Sequence, residues 1–319
     1  MTGPVWAPDV AVDERLATHL VRTQFPELAG LPVRRFAAGW DNAVFSVGPE
    51  LLFRFVHRAI AVPLAARELA VLGALVGRGA RGAGPLPLAV PVPRYVGRPV
   101  PEFERPFWGA ARLPGMELAV ARLDDGARIP LAGAVGRFLR ALHAPDLRDD
   151  VLRRARQVGV ELPVDPNRRG EPAAYRDRAV DRLRRLQEQG VDVDLPALIA
   201  TLDLAVDVGP RTGEPVLLHG DLHLRHLLVD ARGAASGVID WGDTGLGDPA
   251  VDLMIGYAAF VGESREAFLA AYGPLQQGTA ERARALAVHV CAALLDSVLA
   301  DDAAALADEV IAALGRVLR

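Results

Sequence analysis

The stretch Leu218-His219-Gly220-Asp221-Leu222-His223-Leu224-Arg225-His226-Leu227-Leu228-Val229-Asp230, followed by Gly237-Val238-Ile239-Asp240-Trp241-Gly242-Asp243, decides how this chain is read. Residues 216–218, 227–229 and 237–239 are short apolar runs bounded by Gly, Asp and Arg, the pattern of buried strands joined by tight turns. The second and third runs form a hairpin. Asp221 lies on the loop ahead of that hairpin and Asp240 at its far end, so closing it brings two carboxylates together. Such a pair suits a reaction in which one carboxylate orients, or takes the proton of, an attacking hydroxyl. The other then holds Mg²⁺ against phosphate oxygens.

Downstream, Gly247-Asp248-Pro249-Ala250-Val251-Asp252-Leu253 opens a region with helical periodicity that runs to the C-terminus. Upstream, helices are expected at 134–143, 151–189 and 195–206, the second broken around residues 162–166, Leu-Pro-Val-Asp-Pro. The N-terminal third reads differently. Asp13 caps an amphipathic helix, and strand-like runs follow at 33–37, 43–47 and 51–56. A helix at 61–75 carries Arg67 and Glu68. A Gly/Pro-rich loop at 78–93 precedes strands at 94–97 and 107–113. The chain thus divides into residues 1–113, strands plus a helix, and residues 114–319, mainly helical.

Taken together, these segments resemble the aminoglycoside phosphotransferase family, which shares the protein-kinase fold, over roughly residues 30–260. The resemblance implies an α+β, bilobal architecture, with a small N-terminal sheet lobe for nucleotide binding and a larger, mainly helical C-terminal lobe for catalysis and acceptor binding. It implies that Asp221 of the His-Gly-Asp motif is the catalytic base and that Asp240 of Ile-Asp-Trp is the main Mg²⁺ ligand. His226, where the family usually has Asn, becomes a second metal ligand. Asp248 and Asp252 brace the loop. Gly39-Trp40-Asp41-Asn42-Ala43-Val44-Phe45 resembles the family's phosphate-facing loop, which makes Asp41 and Asn42 candidate nucleotide contacts. Arg54 stands where kinases place the strand lysine that meets the nucleotide phosphates, and Glu68 where they place its ion-pair partner. Backbone groups near Ala110–Arg112 are expected to read the base. The implied cofactors are ATP or GTP with Mg²⁺, and the implied partner is a small molecule bearing a hydroxyl. Arg54 in place of Lys and His226 in place of Asn resemble the macrolide phosphotransferase branch.

Composition agrees with an enzyme of this size. The 319 residues exceed what one small core organises, and 51% hydrophobic content is enough to bury a large one. The net charge of −4 argues against a nucleic-acid partner. No uninterrupted apolar run of about 20 residues suggests a membrane span. Met1 to Val12 lacks the pattern of a leader peptide, so a cytoplasmic location is the expectation. The single Cys291 sits in an apolar stretch and reads as buried. Lysine is absent, so all 36 basic residues are arginine, which gives Arg54 a compositional explanation as well as a functional one. Residues 261–319 carry eight acidic residues against five arginines, a surplus compatible with a cationic acceptor.

Three other readings follow from the residues. A metabolite kinase of the same fold would take an amino alcohol or a sugar. A catalytically dead binder is suggested by the Arg54 and His226 departures. A metal-dependent phosphoester hydrolase is suggested by Gly220-Asp221-x-His223, but the seven histidines are scattered and the further clusters of a two-metal site are missing.

Overall fold

The computed structural model describes residues 8–79, 86–300 and 304–319. Asp301, Asp302 and part of the expected loop at 78–93 lie outside them. The chain divides into two compact units. The first takes residues up to Pro85, Val90–Leu113 and Arg153–Glu161, and the second takes Leu86–Ala89, Pro114–Leu152 and Leu162–Arg319.

The first unit opens with α1 (Glu14–Gln24), whose N-terminus is closed by the Asp13 carboxylate accepting the Leu16 N–H at 2.7 Å. Three strands follow, β1 (Val33–Ala38), β2 (Asn42–Val47) and β3 (Leu51–Val56), and then α2 (Val62–Gly79). Next come β4 (Tyr95–Val96) and β5 (Phe107–Ala111), which complete an antiparallel sheet in the order β1-β2-β3-β5-β4. Alternation along β2 buries Ala43, Phe45 and Val47 against Leu20 and Val21 of α1. Phe55 and Phe107, cross-strand partners, stack at 4.9 Å in the same core.

The second unit includes β6 (Met116–Glu117), the helix α3 (Ile129–Leu142) and, as far as Leu152, α4 (Pro145–Gln157). They are followed by α5 (Pro172–Glu188), α6 (Leu195–Val208), and the strands β7 (Val216–Leu218), β8 (Leu227–Val229), β9 (Ala235–Val238) and β10 (Gly245–Gly247). Helices α7 (Ala250–Ala258), α8 (Glu263–Tyr272), α9 (Thr279–Ala300) and α10 (Ala304–Leu318) close the chain. The strands form two small sheets, β6-β8-β9 and β7-β10. The β8–β9 hairpin expected from the apolar runs is present and antiparallel.

Helix α9 is the axis of this unit and packs against α5, α6, α7 and α10. By length and composition, α9 and the segment Ala59–Val76 could each cross a bilayer. In α9 that apolarity is spent on the core: Leu286, Val288, Cys291, Ala292 and Leu295 are buried. The expected helix over 151–189 is interrupted more widely than the sequence suggested. It is replaced by α4, α5 and an irregular segment between them.

The result is an α+β fold, with a five-stranded sheet in the first unit and a mainly helical second unit, the class the sequence predicts.

Candidate active site

Strand β7 ends at Leu218, and the backbone turns at Gly220 with φ of 90°, a left-handed conformation that glycine adopts without a side-chain clash. A Cβ at this position would also collide with the carbonyl oxygen of Asp243. The turn is suspended from α7. Both oxygens of Asp252 are used, accepting the backbone N–H groups of His219 at 2.8 Å and Gly220 at 2.9 Å. His143 Nε2 lies 3.2 Å from the same carboxylate, and its Nδ1 lies 3.0 Å from the Tyr272 hydroxyl. Burial pushes the Asp252 carboxyl upward, but His143, His219 and the Gly220 N–H outweigh it and hold the group below the usual carboxylate range.

Hydrogen bonds fix the tautomers of the three histidines. His219 Nε2 faces the Ile239 carbonyl at 3.0 Å and donates to it, because a carbonyl only accepts. Its Nδ1 then accepts the Asp221 N–H at 3.2 Å. His219 is therefore a neutral strut between the loop and the β8–β9 hairpin, and burial lowers its pKa accordingly. His223 accepts the Arg225 N–H on Nδ1, so its proton is on Nε2, 3.6 Å from Asp221 Oδ2. Burial, with His226 and Arg169 nearby, keeps this ring neutral.

His226 stacks on His223 at 3.9 Å and donates from Nδ1 to the Asp221 carbonyl at 2.8 Å. In the neutral ring this leaves the Nε2 lone pair turned toward Asp240 Oδ2, 3.7 Å away. Asp240 itself has φ of 63°, unusual for a residue with a side chain and tolerated best by Asp and Asn. The loop, the hairpin and one histidine thus unite Asp221 with Asp240.

An arginine not anticipated from the sequence joins them. The segment after α4 runs beside β10: Leu246 N–H donates to the Pro163 carbonyl, and Asp165 N–H to the Leu246 carbonyl. Asp165 then accepts the N–H groups of Arg169 and Gly170 at 2.7 and 2.9 Å, which folds residues 165–170 into a tight loop. This loop delivers Arg169 between two carboxylates. Its Nη1 is 3.1 Å from Asp221 Oδ1 and its Nη2 is 3.1 Å from Asp243 Oδ2, and Nη1 also donates to the Gly220 carbonyl. Burial raises the Asp243 carboxyl and Arg169 opposes the rise, while Asp221 and Asp240 add to it.

In the first unit, Arg54 on β3 pairs with Glu68 on α2, Nη1 to Oε1 at 2.9 Å, with Glu68 buried. Asp41 is turned to Arg58, 3.1 Å from its Nη1. The loop carrying Asp41 is pinned by His57, whose Nε2 lies 2.8 Å from the Trp40 carbonyl and whose N–H donates to the Asp41 carbonyl. Asn42 starts β2 opposite Val56. Near the end of β5, Ala110 pairs with Leu52, and the Arg112 backbone N–H donates to the Glu50 carbonyl at 2.7 Å. Antiparallel alternation therefore turns the backbone of Ala111 away from β3, past Gly109, the last residue of β5 paired with β4. Of the expected Ala110–Arg112 group, Ala111 presents its backbone outward, while Ala110 and Arg112 face the ladder.

Residues 32–287 match the family described as Phosphotransferase enzyme family (APH). The chain belongs to this family. Over 85 residues it is 40% identical to the viomycin phosphotransferase of Streptomyces vinaceus, a match covering 26% of this chain and 29% of that enzyme. The chain spans less than a third of the length of the curated relatives it matches.

Solved structures resemble it almost end to end. The macrolide 2'-phosphotransferase MphH from Brachybacterium faecium is 25% identical with a TM-score of 0.56, over 95% of this chain and 97% of that one. The GDP and kanamycin complex of an APH(2") enzyme is 21% identical with a TM-score of 0.61, over 94% and 97%. The similarity to this second structure is one of fold.

Within this APH-family chain, Asp221, His226 and Asp240 are brought together in the second unit, and Arg54 is joined to Glu68 in the first. The sequence reading missed Arg169, Asp243 and Asp165. For Asp165 and Arg169 the signal was the run Asp165-Pro166-Asn167-Arg168-Arg169-Gly170, rich in turn formers and set between arginine-rich helices, and for Asp243 its place in the motif that contains Asp240.

Proposed function

We propose that this chain transfers the γ-phosphate of ATP or GTP to a hydroxyl group of a small molecule. One observation carries the reading. His226 Nε2 and Asp240 Oδ2, both electron-pair donors when the ring is neutral, face each other across 3.7 Å, and the same imidazole holds the backbone of Asp221. A ring nitrogen and a carboxylate oxygen so placed offer two ligand atoms to one divalent ion.

Asp240 supplies a hard carboxylate oxygen and His226 a nitrogen, and water and nucleotide oxygens suit the rest of a Mg²⁺ shell. When bound, the ion neutralises charge on the phosphate oxygens. Asp221 orients the acceptor hydroxyl and receives its proton. Arg54, held in place by Glu68, contacts the nucleotide phosphates. Asp41 shapes the phosphate-facing loop through Arg58, and Asn42 begins the strand that leaves it. The backbone of Ala111 reads the base.

The acceptor is an aminoglycoside, a macrolide, or a metabolite such as an amino alcohol or sugar. The acidic surplus of residues 261–319 gives little support to a polycation. Asp296 is bound to Arg182 and Arg185, and Glu309 to Arg128 and Arg316. Arg54 and His226 favour the macrolide branch.

The test is nucleotide consumption by the purified chain, with ATP and with GTP, over a panel of kanamycin, viomycin, erythromycin, choline and glucose. One acceptor should stimulate turnover with a phosphorylated product of matching mass, and Asp221→Asn should abolish it. Wild-type turnover in Asp221→Asn, or no consumption of either nucleotide with any acceptor, would contradict the proposal.

A further inference from the structure

The guanidinium of Arg169 touches Asp221 more closely than any other side-chain cation in the described residues. We infer that Arg169 is a positioning residue for phosphoryl transfer: it captures Oδ1 of Asp221 and so leaves Oδ2 as the oxygen presented to the acceptor hydroxyl. The inference rests on the function proposed above and extends it to a residue outside the Asp221–Asp240 constellation.

The geometry is built for this task. A carboxylate has two equivalent oxygens, and rotation about the bond joining it to Cβ exchanges them. The ion pair of Arg169 Nη1 with Oδ1, at 3.1 Å, opposes that rotation. Oδ2 is left near the stacked pair of imidazoles, 3.6 Å from His223 Nε2 and 3.7 Å from His226 Nδ1. The His226 proton is already given to the Asp221 carbonyl, so it does not compete for Oδ2.

The guanidinium is in turn immobilised. Its other nitrogen is held by Asp243 at 3.1 Å, and Nη1 is shared with the Gly220 carbonyl. A planar fork with fixed donors can bind two carboxylates and a carbonyl at once, whereas a lysine would supply one point charge. The loop that carries Arg169 is itself costly to form. Asp165 and Arg168 have positive φ values of 44° and 52°, which side chains seldom adopt, and hydrogen bonds from β10 and to Asp165 hold the loop in place. Backbone strain placed beside a reactive carboxylate is the pattern of a positioning device. Arg169 also places a positive charge between Asp221 and Asp243.

The experiment compares wild type, Arg169→Ala, Arg169→Lys, Asp243→Asn and Asp221→Asn. Thermal unfolding is measured first. MgATP hydrolysis to water is then measured, together with transfer from MgATP to whichever of kanamycin, viomycin, erythromycin, choline and glucose the wild type uses fastest. Arg169→Ala should lower kcat roughly a hundredfold, the scale expected when a reacting group is misplaced by about an ångström. Its KM for MgATP should stay within about twofold of wild type. Added guanidinium ion, at millimolar concentrations below those that unfold the variant, should restore part of the lost kcat in Arg169→Ala and none in Asp221→Asn. Arg169→Lys should recover less than a tenth of wild-type kcat.

A merely structural arginine would give a lower unfolding temperature with no guanidinium rescue. That result, or a wild-type kcat in Arg169→Ala, overturns the inference while loss of activity in Asp221→Asn leaves the kinase reading standing. If Asp221→Asn is as active as wild type, or the wild type turns over neither MgATP nor MgGTP, the kinase reading itself fails.

Discussion

Asp252, on helix α7, holds Gly220 on the loop that carries Asp221, its Oδ1 accepting the Gly220 N–H at 2.9 Å while Oδ2 takes the N–H of His219. A buried carboxylate that satisfies two buried backbone donors is strongly coupled to the fold, because its removal leaves both donors without a partner. Asp252→Ala is expected to lower the unfolding free energy by about 3 kcal/mol, measured by urea titration. Asp252→Asn, which keeps one acceptor oxygen, should cost about half of that.

Gly220 makes a second, sharper prediction. Any side chain there meets the Asp243 carbonyl and must hold a left-handed backbone. Gly220→Ala should displace Asp221 and lower phosphoryl transfer at least a hundredfold. The far-UV circular dichroism of the variant should stay unchanged, since the clash is confined to one turn.

The Arg54–Glu68 pair lies within the first unit and separates binding from stability. Glu68→Ala leaves a partly buried guanidinium without this carboxylate and should cost about 3 kcal/mol of stability. It should also raise the KM for ATP about tenfold, equivalent to about 1.4 kcal/mol of lost nucleotide binding. Glu68→Gln, which preserves shape and a hydrogen-bond acceptor, should fall between the two. Steady-state kinetics with varied ATP distinguish these outcomes.

Acid should destabilise the protein before its carboxylates titrate. His219, His223 and His289 have pKa values depressed below the free imidazole value, each chiefly by burial, His289 to about 4. Below about pH 6.5 the unfolded chain binds protons at these sites that the folded chain refuses. Stability is therefore complete above about pH 6.5 and falls as the pH drops toward the folded values, by up to about 1.4 kcal/mol per pH unit for each histidine. Asp252 works in a lower window. Its folded pKa is depressed, so its contribution is present above the ordinary carboxylate value and is lost only at lower pH. Urea midpoints at pH 7.5, 6.0 and 5.0 check the histidine prediction, and an invariant midpoint would contradict it. His289→Phe should reduce the slope.

Much of this arrangement was legible in the residues. Strands β3, β7 and β8 fall at the residues marked by their apolar runs, because short runs cut by Gly, Asp and Arg leave little freedom in where a strand ends. The loop and hairpin motif pointed to Asp221 and Asp240 on either side of one hairpin, and His226 stands between them. Arg169 was invisible for the opposite reason. Its contact with Asp221 joins residues far apart in sequence, and in a chain whose every basic residue is arginine no single one stands out. By sequence alone, Leu162-Pro163-Val164-Asp165-Pro166 is an interruption of helix. In space Pro163, Val164 and Asp165 pair with β10, a role that neither propensity nor periodicity records. The backbone direction at Ala111 depends on which residues of β5 hydrogen-bond to β3, and that register is fixed by pairing, not by local sequence.

The strand-like passage at residues 163–165 has a practical corollary for anyone recombining this enzyme with its relatives. A splice placed between helices α4 and α5 looks safe on a helix map, since it falls in irregular chain. It would in fact separate a segment from the strand edge it was matched to, and aim the wrong guanidinium, or none, at Asp221. Crossover points that inherit residues 162–170 and 245–247 from the same parent keep that match intact.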